Sequence, residues 1–222
     1  MTSAVAESIV QDKELTKTLL HAAGIPVPLG RNVRRAEDAW IAACEIGTPV
    51  VIKPQDSNQG KGVTVNLTDA EQVKSAFMIA SEFSSNVLVE RYLPGYDYRM
   101  LVVGNKLVAA ARRDPPQVTG DGKHNIRQLV EQINRDPMRG EGHVTSLTKI
   151  HLDEISLAHL AAQGLTADSI PAKGVRVILR NNANLSTGGT ATDVTDDVHP
   201  ELAARVVAAA QVVGLDICGI DV

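Results

Sequence analysis

Residues 50–67, VVIKPQDSNQGKGVTVNL, constrain this chain more than any other stretch. The β-branched run Val50–Ile52 predicts a strand, Lys53 follows in line, and a second β-branched run opens after a polar, glycine-bearing loop. Two strands must therefore lie side by side with that loop between them, and Val63, Val65 and Leu67 alternate as if facing inward. No G-x-x-x-x-G-K-[ST] pattern occurs, so the loop is not a P-loop. Gln59, Gly60, Lys61 and Gly62 still offer backbone N–H groups that can approach a ligand closely, with an ammonium charge beside them, which suits phosphate oxygens. Lys53 is delivered by an apolar strand, where an unpaired charge is unfavourable unless an anion meets it. The plain alternative is a hairpin loop with surface lysines.

Helices and strands alternate around this segment. Asp12 is placed to cap a helix with Leu15, Leu19 and Ala22 on one face, closed by Gly24. A second helix carries Ala36, Trp40, Ala43 and Cys44 and ends at Gly47. Thr68 and Glu71 read as a capping box for a helix burying Val73, Phe77 and Ala80. NVLVERYL is a strand, and MLVVGNKLVAA a hairpin turning at Gly104-Asn105. A polar stretch follows with a helix near 126–134, then the strand VRVILR, the loop NNANLSTGG, and a helix burying Leu202, Val206, Ala209 and Val213. Hairpins outnumber strand–helix–strand units, so the predicted class is α+β with a largely antiparallel sheet. The closing LDICGIDV reads as a strand cut before any terminal turn, which suggests a fragment.

Bulk properties narrow the function classes. The 222 residues suffice for a proper core. A net charge of −4 with a pI near 5.9 and no basic run argues against a nucleic-acid surface. Cys44 and Cys218 lack metal-ligand spacing and read as buried small hydrophobes of a reducing compartment. No apolar run approaches the ~20 residues of a membrane span and no signal peptide opens the chain, so a cytoplasmic protein is expected.

A second constellation lies downstream. The strand ending at Glu90 is followed by Arg91, Tyr92 and Leu93, whose backbone is expected to be exposed, then by the Pro94-Gly95 turn and Asp97. Such a hinge can read an adenine edge while a carboxylate holds ribose hydroxyls; polar residues at a strand end would look the same.

In order and spacing, Lys53, the 59–62 loop, Glu90, the hinge and Asp97 resemble the ATP-grasp ligases. The longer segments VQDKELTKTLL, AGIPVP, VTGDGKHNIRQLVEQIN, DPMRGEGH and ANLSTGGTATDVTDDVHPE are similar to the ATP-grasp domain of the cyanophycin synthetase family, from about residue 9 to 222. Bifunctional glutathione-forming ligases share the GDGKH and STGG style of loop. The resemblance implies an ATP-grasp fold, two α+β subdomains with largely antiparallel sheets sandwiching ATP, truncated at the C-terminus. It places a helical lead-in at 1–47, a lid subdomain at 48–92 and an incomplete C-terminal subdomain at 93–222.

The resemblance also implies roles. Lys13 and Lys53 would contact the ATP phosphates, with the loop around Lys61 closing over them. Glu90, Arg91, Tyr92 and Leu93 would bind adenine, and Asp97 the ribose. Arg99 and Arg112 would face the transferring phosphoryl group. Lys123 and His124 of GDGKH, with Arg180, Asn184, Ser186, Thr187, Gly188 and Gly189, would shape the substrate side. The glycines there would form an N–H-rich nest for a carboxylate or acyl phosphate, and His124 would orient or deprotonate the amine. Asp221 would be the first Mg²⁺-holding acid, its expected Glu-x-Asn partners lying beyond Val222. His143, His151, His159 and His199 receive no role, and no zinc site is expected. The implied reaction adds aspartate to the C-terminal carboxylate of a polyaspartate (cyanophycin) primer, within a larger, homo-oligomeric synthetase. The alternatives are glutathione formation, the joining of β-aspartyl-arginine dipeptides, and a truncated, inactive nucleotide-binding module.

Overall fold

The computed structural model describes residues 2–55, 62–142 and 144–222. Gln59, Gly60, Lys61 and His143 lie outside the described residues. The chain divides into two compact units, one of Met1–Gly95, Val103–Lys106 and Ala203–Cys218, the other of Tyr96–Val102, Leu107–Leu202 and Gly219–Val222.

The first unit carries α1 (Ala4–Gln11), α2 (Lys13–Ala22), β1 (Gly30–Val33), α3 (Ala36–Ile46), β2 (Val50–Pro54), β3 (Thr64–Leu67), α4 (Ala70–Ser81) and β4 (Val87–Arg91). Its sheet runs β1-β4-β2-β3, antiparallel throughout. Alternation sends Val50, Ile52, Val87 and Val89 into a core with Ala39, Ala42 and Ala43 of α3 and Val73, Phe77 and Ala80 of α4. The intervening residues, Lys53 and Glu90 among them, belong to the other face.

Four local expectations need correction. The α4 cap falls one residue later than predicted: Asp69 accepts from the Gln72 N–H, while Gln72 Oε1 accepts from the Thr68 N–H. Asp69 is thus the N-cap in place of Thr68, and Gln72 reaches back to the residue before the cap. Cys44 is exposed and Cys218 half-buried, because α3 turns Ala39, Ala42 and Ala43 inward. In β3 the register to β2 slips between Val50↔Leu67 and Ile52↔Thr64. The extra residue is absorbed where Asn66 adopts φ 59°, so Leu67 is buried but Val63 is exposed. Finally, α2 buries none of its residues and leaves Leu15 exposed.

The second unit is built on β5 (Asp97–Val103), β6 (Lys106–Asp114), β7 (Gln117–Thr119), α5 (Ile126–Ile133), β8 (Arg139–Gly140), β9 (Leu147–Thr148), α6 (Glu154–Ala162), β10 (Arg176–Ile178) and β11 (Thr190–Asp193). Then α7 (Pro200–Val213) and β12 (Ile217–Asp221) close the chain, α7 lying mostly in the first unit. One sheet is ordered β11-β6-β5-β12, and β7 pairs antiparallel with β10. A separate core gathers Val118, Ile126, Leu129, Val130, Leu160, Val177 and Leu179. Helix α5 lies where predicted, held by a capping box of Asn125 and Gln128. Helices α1 and α6 and strand β1 escape the sequence reading. In α7, Val206, Ala209 and Val213 are buried and Leu202 is half-buried.

Candidate functional site

In the first unit, three ammonium groups gather beside the sheet face that the helices leave open. Asp12 caps α2 by accepting from the Glu14 and Leu15 N–H groups, and the helix then sets Lys13 and Lys17 on one side, four residues apart. Lys17 Nζ donates to Glu90 Oε1 and, at 3.3 Å, to the Pro28 carbonyl. Lys53 Nζ donates to Glu90 Oε2 at 2.6 Å, and Lys13 Nζ to the Gln55 carbonyl at 3.2 Å. Glu90 is only 7% exposed. The other nearby acid, Glu14, accepts from Asn32, and three ammonium groups against two carboxylates leave positive charge in excess. Burial, then the charges of Lys17 and Lys13, push the Lys53 ammonium down to about 8 against the pull of Glu90. Burial lowers Lys17 as well. Lys13, Lys17, Lys53, Gln55 and Leu88 line a cleft of about 290 Å³.

This arrangement answers the requirement that Lys53 meet an anion: it meets Glu90 and is left wanting a second. The predicted Lys13, Lys53 and Glu90 come together. Lys17 was missed, and the signal for it was its position one turn beyond Lys13. At the hinge, the N–H of Arg91 donates to the Leu29 carbonyl at 2.8 Å and that of Tyr92 to Pro49 at 3.0 Å. These two N–H groups are engaged, contrary to the expected exposure, while Leu93 is exposed. Gly62, at φ 69°, lies where a side chain would meet Phe83 at 2.8 Å and Pro54 at 2.9 Å.

In the second unit, one sheet face carries a four-membered ion-pair network. Tyr98 and Val222 exchange both backbone hydrogen bonds, which sets Arg99 opposite Asp221. Arg99 Nη1 lies 2.9 Å from Asp221 Oδ1, as does Arg113 Nη2. Arg113 also reaches Asp97 Oδ1, at 2.5 Å from Nη2 and 3.0 Å from Nε. Arg112 pairs instead with Asp114 at 3.2 Å and stacks 5.1 Å from the Tyr96 ring centroid. Arg113, absent from the predicted set, is thus the residue that joins Asp97 to Asp221. Among the described residues no group of three or more His, Cys, Asp or Glu could hold a metal ion. Asp221 meets two guanidinium groups, so the described residues do not form a Mg²⁺ donor set.

The loop residues divide differently. Asp121 Oδ1 accepts from the Lys123 and His124 N–H groups at 2.8 Å each, and Oδ2 lies 2.5 Å from His124 Nδ1. The His124 ring and these N–H groups hold the Asp121 carboxyl far below its ordinary range. Asp121 therefore orients His124, a partner the sequence reading overlooked within GDGKH. The Arg180 guanidinium pairs with Asp153, which caps α6. The expected N–H nest at 186–189 is not open. The Thr187 and Gly189 N–H groups donate to the Asn184 carbonyl and that of Gly188 to Leu185, each at 3.1 Å. The glycines serve close packing instead: a side chain at Gly188, φ 96°, would meet Ile150 at 2.7 Å. Buried Arg139 donates to the Gly188 carbonyl at 3.0 Å and to that of Thr148 at 2.7 Å, tying the turn to β9.

The chain belongs to the family of the carbamoyl-phosphate synthase L chain ATP-binding domain, whose model matches residues 12–146, and its fold is that of the ATP-grasp ligases. It is 48% identical to cyanophycin synthetase of Crocosphaera subtropica over 98% of its own length and 25% of that protein's. It resembles the crystal structure of a bifunctional glutathione synthetase from Pasteurella multocida, with a TM-score of 0.66 and 38% identity, over 99% of this chain and 30% of that one. The D-alanine–D-alanine ligase of Bacillus anthracis shares the fold at a TM-score of 0.59 and 14% identity, over 99% of this chain and 54% of that one. The chain thus spans about a quarter of the length of the curated relatives it matches. Among the described residues no helix is long and apolar enough to cross a membrane.

Proposed function

We propose that this chain is the nucleotide-binding part of an ATP-dependent carboxylate–amine ligase of the cyanophycin synthetase type. The observation that carries the reading is the Lys13, Lys17 and Lys53 cluster in its cleft, where Lys17 and Lys53 share Glu90, Lys13 rests on the Gln55 carbonyl, and positive charge stays in excess. Such a site gains by admitting the phosphates of a nucleoside triphosphate. ATP, once bound, supplies a γ-phosphoryl group that turns a carboxylate into an acyl phosphate, from which an amine displaces phosphate to give an amide. Lys13 and Lys53 hold the phosphates, Asp97 accepts from the ribose hydroxyls, and Arg99 and Arg112 neutralise charge on the transferring group. His124, oriented by Asp121, takes a proton from the attacking amine.

In the finer reading, the carboxylate is the C-terminus of a polyaspartate primer, the amine is aspartate, and the chain works as one domain of a larger homo-oligomer. The 48% identity to a cyanophycin synthetase supports this assignment over glutathione formation. Two experiments test it. In the first, Lys53→Met abolishes ATP binding by calorimetry while far-UV circular dichroism stays unchanged; unaltered affinity overturns the site. In the second, the full-length enzyme incorporates aspartate onto a polyaspartate primer. Incorporation of glycine onto γ-glutamylcysteine in its place overturns the finer assignment.

A further inference from the structure

Arg113 is the most enclosed member of its ion-pair network, its side chain 15% exposed. A guanidinium so enclosed has to be paired. Its Nη2 reaches Asp97 Oδ1 and Asp221 Oδ1 at once, at 2.5 and 2.9 Å. One nitrogen therefore bridges two carboxylates that come from neighbouring strands and would otherwise repel each other. Among the described residues all the contacts, that from Arg99 included, end on Oδ1. Each acid is thus fixed by one oxygen and keeps Oδ2 for a ligand, and both are reachable, Asp97 at 43% and Asp221 at 58% exposed. The face is also shaped for the network: a side chain at Gly219 would collide with the Arg99 guanidinium.

We propose that Arg113 is a positioning residue. It fixes Asp97 through Oδ1, using Asp221 as its second anchor, so that Oδ2 is held ready for the vicinal hydroxyls of a bound nucleoside triphosphate. The proposal rests on the reading of Asp97 as ribose acceptor. Calorimetry on the 222-residue chain with divalent metal chelated, comparing ATP, 2′,3′-dideoxy-ATP and inorganic tripolyphosphate, tests both. The wild type prefers ATP to its dideoxy analogue by about tenfold, the size expected of hydrogen bonds to a charged group. Arg113→Gln lowers that preference to about twofold or less and leaves tripolyphosphate affinity unchanged, which a general loss of structure would not do. Asp221→Asn, which weakens the second anchor together with the Arg99 pair, gives an intermediate preference. Full preference in Arg113→Gln overturns the positioning role while the ribose reading stands. No preference in the wild type overturns the ribose reading, and the positioning role with it. Where Arg113→Gln fails to fold, Asp221→Asn decides, and retention of the full preference there overturns the role.

Discussion

Lys53 concentrates the site's chemistry in one side chain. Its ammonium titrates near 8 because burial and two neighbouring lysines oppose the charge. Only the protonated form attracts phosphate, so ATP affinity is expected to fall as pH rises through about 8. In Lys53→Arg, whose guanidinium stays charged, that fall should be flattened; calorimetry between pH 7 and pH 9 checks both. The sign for folding is opposite. The folded pKa lies below the ordinary lysine value of 10.5, so the unfolded chain holds the proton more tightly between about 8 and 10.5. The penalty from this group is fully present below that window and is relieved as pH rises across it. Much of this was legible beforehand, because a lysine inside an apolar strand demands an anion. Which anion was not: Glu90 lies 37 residues away, and only the β2–β4 register brings the two together.

At the scale of elements, hydrophobic period and turn chemistry located β2, β4, the β5–β6 hairpin, α4, α5 and α7. Helix α6, EISLAHLAA, spreads its apolar residues around the helix and shows no phase, and β1, GRNV, is a short edge strand without β-branched alternation. Neither carries a periodic signal. Phase errors were the commoner fault: β3 slipped at Asn66 and the α4 cap moved to Asp69, because two polar pairs one residue apart offered the same pattern. The cap gives a prediction. Asp69→Ala should destabilise the chain by about 1 kcal/mol, and Thr68→Ala by less than half of that, read from urea midpoints. The reverse order would restore Thr68 as the capping residue.

For the molecule as a whole, binding and turnover are expected to part company. Lys13, Lys17 and Lys53 stand together, whereas Asp221 is paired with two arginines and, among the described residues, no group of three potential metal ligands accompanies it. This chain should therefore bind ATP yet release no ADP in an aspartate-dependent manner with millimolar Mg²⁺, by coupled assay; a version joined to the further length that its relatives carry should do both. Turnover by the short chain would move the metal ligands elsewhere. The crowding of Lys17 and Lys53 around Glu90 has one more consequence, visible in the solution around the protein. At pH 8 a sizeable share of Lys53 is neutral before the nucleotide arrives. The triphosphate brings anions that favour the charged amine, so complex formation should draw protons out of the buffer. Its heat at pH 8 should then scale with the ionisation enthalpy of the buffer, differing between phosphate and Tris. At the same pH, Lys53→Arg, whose guanidinium is already charged, should give nearly the same heat in the two buffers.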